Sequence, residues 1–174
     1  MTDAAIKTIM NRSSCREFVG GDIPDQDIGI MLEAMRYAPS AGNLQPWFFY
    51  LIKNKDLKNA LAKAAYGQEF ITDASIVFVI CAIPEMPAKI YGKRGSDLYC
   101  LQDTAAVVEN LLLTAEALGY GSCWIGAFDE EMTRKALSIE PEKRPVAIVP
   151  VGHGIKNRKR TGRYKINEIC KIIG

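Results

Sequence analysis

The feature that most constrains the fold is a long apolar segment at residues 103–118, DTAAVVENLLLTAEAL. Its spacing predicts a helix, and Gly119 follows at a position where glycine commonly ends a helix. Glu109, Asn110 and Glu116 are its main polar breaks, so apolar side chains cover most of the circumference. A helix that is apolar nearly all round is buried on several sides. In a chain of 174 residues we expect one of those sides to face a partner subunit.

The other segments alternate between helix and strand patterns. Further helices are expected at residues 2–10, 24–38, 55–65 and 130–137, and strands at 47–53, 75–83, 123–128 and 145–151. Both 47–53 and 75–83 have the pattern of buried strands, and 75–83 is apolar on both faces, which indicates a central position. Residues 84–95 hold two prolines and are expected to form a loop, either a plain connection or a mobile cover. The alternation predicts an α/β or α+β fold, with residues 1–174 forming one domain.

Cysteine and histidine usage excludes several classes of protein. The chain has five cysteines, no CxxC motif and one histidine, so neither a zinc site nor a disulfide framework is expected. Unpaired cysteines indicate a reducing compartment. The N-terminus lacks the pattern of a secretory signal, and no run of about 18 apolar residues is present. We therefore expect a cytoplasmic protein without a membrane-spanning helix.

Positive charge is concentrated near the C-terminus, although the formal net charge is only +2. Residues 156–165 contain six basic and no acidic residues: Lys156, Arg158, Lys159, Arg160, Arg163 and Lys165. Such a run is often a solvated face, and it could also bind phosphate or nucleic acid. The small net charge disfavours nucleic acid, for which a salt-sensitive shift with DNA or RNA would be the test.

Two short segments carry residues suited to opposite ends of one ligand. In the first, Arg12, Ser13, Ser14 and Arg16 offer forked cationic donors and hydroxyl groups that match phosphate oxygens, although a plain charged loop explains them too. In the second, residues 38–47, small residues permit close backbone approach, while Asn43 and Gln45 supply amide groups. Those amides suit the edge of a heteroaromatic ring. The alternative is a polar loop that leads into a strand.

A third segment, residues 118–128, joins the apolar helix to a strand. Its glycine pair lacks the third glycine of the dinucleotide fingerprint and follows a helix instead of a strand, so a Rossmann site is disfavoured. A ledge of small residues beside a flat ligand remains. Cys123 has no basic neighbour to activate its thiol, which favours a packed or ligand-adjacent cysteine over a nucleophile. Ser40 lacks the GxSxG context of a hydrolase serine.

Taken in order, these segments resemble the FMN-dependent nitroreductase family. The matching motifs are RSSCREF at 12–18, APSAGNLQPWFF at 38–49, GQEFITDAS at 67–75, the stretch 103–131 and VPVGHG at 149–154. The resemblance implies an α+β, three-layer fold with a central mixed, mostly antiparallel sheet wrapped by helices. It further implies an intertwined homodimer with FMN at the interface. Residues 155–174 would then extend along the partner subunit.

The resemblance also assigns cofactor-binding residues position by position. It implies phosphate contacts from Arg12, Ser13, Ser14, Arg16 and Arg163. It implies a loop that reaches the flavin from the other subunit, made of Pro39, Ser40, Ala41 and Asn43. It places Gln68 near the cofactor and a ledge beside the ring at Ser122, Cys123, Trp124, Ile125 and Gly126. Ala41 departs from the hydroxyl residue common in that loop, which removes one hydrogen bond.

The implied activity is electron transfer from NAD(P)H through FMN to a small oxidised acceptor, such as a nitroaromatic or a quinone, in a ping-pong cycle. The cofactor carries this chemistry, so no catalytic side chain and no metal is assigned. Three alternatives stay open. The first is other flavin chemistry, such as reductive dehalogenation, enal reduction or flavin fragmentation. The second is flavin storage without turnover, and the third is a thiol enzyme that uses Cys123.

Overall fold

The computed structural model describes residues 3–155 and 161–174. Its helices are α1 (Ala4–Asn11), α2 (Asp25–Arg36), α3 (Lys55–Ala64), α4 (Phe70–Asp73), α5 (Glu85–Arg94), α6 (Cys100–Ala117), α7 (Glu130–Leu137) and α8 (Ile166–Ile169). Its strands are β1 (Trp47–Ile52), β2 (Ile76–Ala82), β3 (Gly121–Ser122) and β4 (Arg144–Gly152). A 3₁₀ turn at Ala41–Asn43 precedes β1, and a π-helical stretch at Gly95–Tyr99 joins α5 to α6.

The strands form one sheet in the order β1-β2-β4-β3, and each neighbouring pair is antiparallel. A parallel contact is supplied by an isolated bridge between Ser14 and Ser122. The predicted α+β fold with a mostly antiparallel sheet is therefore confirmed. All seven residues of β2 are buried, as the apolar pattern of residues 75–83 predicts for a central strand.

The core lies on both faces of the sheet, which makes three layers. On one face, Ile76, Phe78 and Ile80 pack with buried residues of α2 and α6. On the other face, Val77 and Val79 pack with buried residues of α3 and of the segments around it. Because side chains alternate between the faces of a strand, one apolar strand supplies both cores.

Polar residues fix the ends of several helices. Asn54 accepts a hydrogen bond from the Leu57 N–H at the start of α3, and Asp129 accepts one from the Met132 N–H at the start of α7. Each side chain occupies the N-cap position, where it satisfies a backbone donor that the helix leaves unpaired. The predicted helices at 55–65 and 130–137 are confirmed within a residue of their ends.

The loop prediction for residues 84–95 is wrong, because Glu85–Arg94 forms α5. Pro84 is the N-cap of that helix, and Pro87 lies in its first turn. Proline is tolerated there because the first N–H groups of a helix have no intrahelical partner. The helix is interrupted only at Gly92, which has a φ of 57°.

Two strand predictions also need correction. Residues 123–128 make only one two-residue bridge, Ile125 with Ile148, while the regular strand is Gly121–Ser122. The Cys123 N–H donates to the Pro150 carbonyl, but Pro150 has no N–H to return the bond, so the ladder is interrupted. The predicted buried strand at 47–53 is an edge strand, with Phe48 and Leu51 exposed.

Both ends of the chain leave apolar side chains uncovered. Helix α1 has no buried residue, and its Ile6, Ile9 and Met10 are exposed. Residues 161–174 are exposed throughout, including the isoleucines of the short helix α8. The basic residues Lys156, Arg158, Lys159 and Arg160 lie outside the described residues. Within the described part of the chain, no helix has both the length and the apolar content needed to cross a bilayer.

Candidate functional site

A cavity of about 770 Å³ lies where α1 ends and the C-terminal tail passes. It is lined by Ile9, Met10, Arg12, Ser13, Ser14, Arg16, Thr161 and Arg163. These include all five residues that the sequence predicts for phosphate binding. The structure therefore brings Arg163 next to a segment from which it is separated by about 150 residues of sequence.

Backbone pairing fixes the segment that carries the arginines and serines. Arg12 ends α1, and its N–H donates to the Thr8 carbonyl at 2.9 Å. The chain then runs beside β3, where the Cys15 N–H donates to the Ser122 carbonyl at 2.8 Å. The Cys15 side chain is buried, while Arg16 next to it is exposed. The buried Cys15 thus fixes the position of the segment, while the exposed guanidinium group of Arg16 can contact a ligand.

The cavity is strongly cationic. Within residues 3–155 and 161–174, Arg12, Arg16 and Arg163 take part in no salt bridge. Arg163 donates from Nη1 to Gly162 and Thr161 of its own segment, at 3.0–3.3 Å. No carboxylate among the described residues neutralises their charges, so the cavity suits an anion such as a phosphate group.

The predicted ledge lies directly beside this cavity. Ser122, which pairs with Ser14, is buried, as are Cys123 and Ile125, whereas Trp124 is 41% exposed. Gly126 is exposed at the end of the ledge. The buried side chains fix the path of the backbone along β4. Trp124 and Gly126 are exposed, so a ligand can contact them.

Gln68 approaches the end of the same ledge. Its Nε2 donates to the Ala65 carbonyl at 3.0 Å and to the Ala127 carbonyl at 3.4 Å. These bonds tie the segment before α4 to the residue that follows Gly126. The structure thus brings Gln68 to the end of the ledge, while its contact with a cofactor stays a prediction.

The Cys123 thiol is not arranged as a nucleophile. Burial raises its pKa, and the nearby Arg16 guanidinium, the Ser14 hydroxyl and Arg12 only partly oppose that effect. A thiol with a raised pKa is mostly protonated near neutral pH, and the thiolate is the reactive form. This favours packing beside the cationic segment over nucleophilic attack as the role of Cys123.

The loop that carries Pro39, Ser40, Ala41 and Asn43 lies apart from this cavity. Its 3₁₀ turn is closed by the Asn43 N–H, which donates to the Ser40 carbonyl at 3.0 Å, and the Ser40 hydroxyl accepts the Gln45 N–H. The Ala41 N–H donates to Asp103 Oδ1 in the first turn of α6. Gly42, with a φ of 56°, lies against the Tyr91 hydroxyl group of α5.

This loop and the cationic cavity occupy opposite ends of the sheet. The paired row Trp47, Ala82 and Arg144 marks the loop end, while Val151 and Ser122 pair at the cavity end. From residue 144 to residue 151, β4 extends about 23 Å at about 3.3 Å per residue. Helix α6, which begins at the loop and ends near β3, rises about 25 Å over the same distance at 1.5 Å per residue.

Comparison with known proteins gives the family. A model of the nitroreductase family matches residues 9–73 and 63–153, which is most of the chain. This chain belongs to the nitroreductase family. Membership makes it an oxidoreductase, which confirms the class that the resemblance implied.

Individual relatives of the family agree with this placement. An Archaeoglobus fulgidus protein provisionally named NADH dehydrogenase/NAD(P)H nitroreductase is 36% identical over 135 residues, 78% of this chain and 74% of the relative. The oxygen-insensitive NADPH nitroreductase of Helicobacter acinonychis is 25% identical over 195 residues, with 92% of this chain and 93% of the relative covered.

Solved structures of the family share the fold. A nitroreductase family protein from Clostridium novyi has a TM-score of 0.80 at 30% identity, over 88% of this chain and 86% of that one. A nitroreductase family protein from Streptococcus pneumoniae has a TM-score of 0.88 at 22% identity, over 97% of this chain and 99% of that one.

Several residues of the candidate site were missed in the sequence. Ile9 and Met10 line the cavity from α1, and Thr161 lines it from the tail. A signal existed for α1, since apolar side chains on a short terminal helix need a cover. Asp103 resembles an ordinary acidic residue in a first helical turn, and no signal in the sequence pairs Tyr91 with Gly42.

Proposed function

We propose that this chain is an FMN-dependent oxidoreductase that passes electrons from NAD(P)H to a small oxidised acceptor, such as a nitroaromatic or a quinone. The observation that carries the proposal is the cavity in which Arg12, Arg16 and Arg163 meet the serines Ser13 and Ser14. Family membership and the names of the relatives support NAD(P)H as the electron donor.

The donor set fits the phosphate of FMN. Guanidinium groups present forked N–H donors that match phosphate oxygens, and hydroxyl groups add short hydrogen bonds. The charges of the three arginines are not neutralised by salt bridges among the described residues. Each charge-assisted contact of this kind contributes about 1.5–3 kcal/mol. A dianionic phosphate would therefore be held chiefly by Arg12, Arg16 and Arg163.

The ledge suits the ring of the same molecule. The ledge begins at Ser122, whose backbone pairs with Ser14 of the segment that carries the arginines and serines. The proposed phosphate contacts and ring contacts are therefore neighbours in one chain. The buried ledge residues Cys123 and Ile125 make a rigid floor, and Gln68 adds an amide group near the end of the ledge. We propose that the ring lies along Ser122–Gly126, with Gln68 beside it.

The loop of Pro39, Ser40, Ala41 and Asn43 would serve the flavin of a second subunit. In one chain this loop is separated from the cationic cavity by about 20 Å or more of sheet. FMN joins its phosphate to its ring by a short ribityl chain, so we infer that the loop that meets each flavin comes from a second chain, as the resemblance implies. In a twofold homodimer, the cavity end of each copy would meet the loop end of the other. Each flavin would then receive cavity residues from one chain and loop residues from its partner.

Uncovered apolar surface supports a homodimer. Ile6, Ile9 and Met10 of α1 are exposed, and so are Ile166, Ile169, Ile172 and Ile173 in the tail. Isoleucine side chains gain about 1.5–3 kcal/mol each on full burial. We propose that residues 161–174, the described part of the predicted extension, lie along the partner subunit, as the resemblance implies, and that α1 lies at the same interface.

When bound, FMN would supply the ring that accepts a hydride from NAD(P)H and then passes the electrons on to the oxidised acceptor. The third glycine of a dinucleotide fingerprint is missing from the sequence, so we expect donor and acceptor to enter one pocket in turn, in a ping-pong cycle. The role of the chain is to bind the FMN phosphate, to orient the flavin ring and to cover the ring from solvent. Because burial raises the pKa of the Cys123 thiol, the reactive thiolate is disfavoured, which supports a packing role over a nucleophilic one.

The direct test is the visible spectrum of the purified protein, followed by anaerobic titration with NADH and NADPH. We expect a yellow protein that releases FMN on denaturation and whose flavin absorbance bleaches with a reduced nicotinamide. A colourless protein that takes up no added FMN would contradict the cofactor assignment. Bound flavin that neither nucleotide bleaches would instead indicate storage or other flavin chemistry, and an acceptor panel would separate these.

A further inference from the structure

We propose that Asp103 is a positioning residue, which holds the turn Ala41–Asn43 in the shape that meets the flavin ring. The proposal rests on the proposed function, which gives that turn its ligand. Asp103 lies in the first turn of α6 and is 6% exposed. Its Oδ1 accepts the Ala41 N–H at 3.0 Å, although 62 residues separate the two in the sequence.

The turn needs such an external contact because its own backbone is unfavourable. Asn43 and Gln45 have φ values of 55° and 52°, in the left-handed region that side chains other than glycine rarely adopt. Gly42, directly before Asn43, has a φ of 56°. Residues in this region persist when the surrounding structure constrains them. The Asp103 carboxyl group supplies that constraint from α6, and it does so at the residue directly before Gly42.

Helix α5 constrains the same turn from another side. A Cβ atom built on Gly42 would lie 2.5 Å from the Tyr91 hydroxyl oxygen, so the two groups are in close contact. Tyr91 is itself packed edge-on against Tyr99, with ring centroids 5.3 Å apart. The turn is therefore held between Asp103 and Tyr91. This fixes the orientation of the backbone at Ser40 and Asn43, which lie at its two ends.

The hydrogen-bonding of Asp103 indicates which side chains can replace it. Its second oxygen, Oδ2, has no hydrogen-bond partner among the described residues. Burial raises the pKa of this carboxyl group, while the Ala41 N–H opposes the effect. An asparagine matches Asp103 in size and still accepts from the Ala41 N–H through its amide oxygen, whereas a leucine of similar size cannot accept.

The contact can be measured without any flavin, by amide hydrogen exchange in the apo protein. In the wild type we expect the Ala41 N–H to be protected. In Asp103→Asn its exchange should change by no more than about twofold, and in Asp103→Leu it should accelerate on the order of tenfold, the effect of one lost hydrogen bond. Thr104→Ala is the control, because Thr104 is equally buried but bonds only to its own helix.

The role toward the flavin is measured by visible circular dichroism of the FMN-bound variants. We expect an altered flavin band in Asp103→Leu, the wild-type band in Asp103→Asn, and no change in Thr104→Ala even if its Tm falls. An unprotected Ala41 N–H in the wild type would overturn the proposal, and this result needs no variant to fold. Equal behaviour of the asparagine and leucine variants would also overturn it. A wild type that binds no FMN refutes the proposed function, while the exchange data still decide whether the contact exists.

Discussion

The two ends of the sheet are built in different ways. At one end, Arg12, Ser14 and Arg16 are held by backbone pairing with β3 and by a buried cysteine, and the tail brings Arg163 to them. At the other end, the turn Ala41–Asn43 is held by one carboxyl group and by a contact with Tyr91. The first end is rich in charge, and the second is made of small and amide side chains.

This difference indicates how a cofactor with unlike ends would be divided between subunits. The cavity end offers charge for a phosphate and a ledge for one face of a ring. The loop end offers only groups suited to the ring. Because about 20 Å of sheet separates them, each end would complete a site with the opposite end of a second copy.

The largest expected effect comes from the cationic end. Arg16→Ala and Arg163→Ala should each weaken FMN binding roughly 10- to 150-fold, since each removes a charge-assisted contact of about 1.5–3 kcal/mol. Riboflavin lacks the phosphate, so its affinity should stay close to that of the wild type. Equilibrium dialysis or flavin fluorescence gives both dissociation constants.

Lys135→Ala is the matched control, because Lys135 is exposed on α7 and does not line the cavity. It makes the same change in net charge and should leave both affinities unchanged. If Arg16→Ala weakened riboflavin as strongly as FMN, the assignment of this end to phosphate would be wrong.

A smaller effect is expected at the loop end. Gly42→Ala places a Cβ against the Tyr91 hydroxyl and forces alanine to a φ of 56°, so it should lower stability by more than about 1 kcal/mol. FMN and riboflavin should weaken by the same factor, since only ring contacts move. Adding Tyr91→Phe removes the obstructing oxygen and should recover part of the loss.

Gly29→Ala is the control for this glycine. Gly29 lies inside α2, and a Cβ there meets no atom within 4 Å. Alanine is favoured over glycine in a helix, so this variant should gain about 0.4–1 kcal/mol. Thermal or urea unfolding measures both variants. A Gly42→Ala protein as stable as Gly29→Ala would show that the turn is not constrained as described.

The smallest effect concerns the thiols. Burial raises the pKa of Cys100 and Cys123, and that of Cys81 to about 12, so their thiolate fractions at pH 8 are lower than that of an ordinary cysteine. Iodoacetamide should leave these three unmodified in the native protein and react with them after denaturation. Rapid native labelling of Cys123, read by peptide mass spectrometry, would revive the thiol-enzyme alternative.

Local patterns predicted most of the fold. The helices at Asp25–Arg36 and Glu130–Leu137 and the central strand Ile76–Ala82 follow from periodicity, caps and β-branched residues. Two errors involved proline. Pro84 and Pro87 indicated a loop but stand at the start of α5, and Pro150 interrupts a ladder from the opposite strand. The local sequence predicts neither effect, because each depends on where the proline lies in a helix or opposite another strand.

The candidate site could be predicted in part where suitable residues lie close together in sequence. Two arginines and two serines within five residues favour phosphate, the resemblance adds Arg163, and the structure brings all five to one cavity. Contacts between distant segments were not predictable from local pattern. Asp103 with Ala41 and Tyr91 with Gly42 depend on how α6 and α5 pack against the loop.

Mixing two defective chains tests whether two copies share each flavin. One chain carries Arg12→Ala and Arg16→Ala, and the other carries Ser40→Ala and Asn43→Ala. The chains are co-expressed with different tags, the mixed dimer is purified, and FMN is counted at a concentration where neither parent dimer retains it.

In the mixed dimer, the intact cationic end of one chain would meet the intact loop of the other, so we expect one of its two sites to regain FMN. A mixed dimer of wild type with a chain carrying all four substitutions has no intact pair and should regain none. Contradiction would come from the reverse pattern, with no FMN in the first dimer and one retained site in the second, because both ends would then serve a flavin within a single chain.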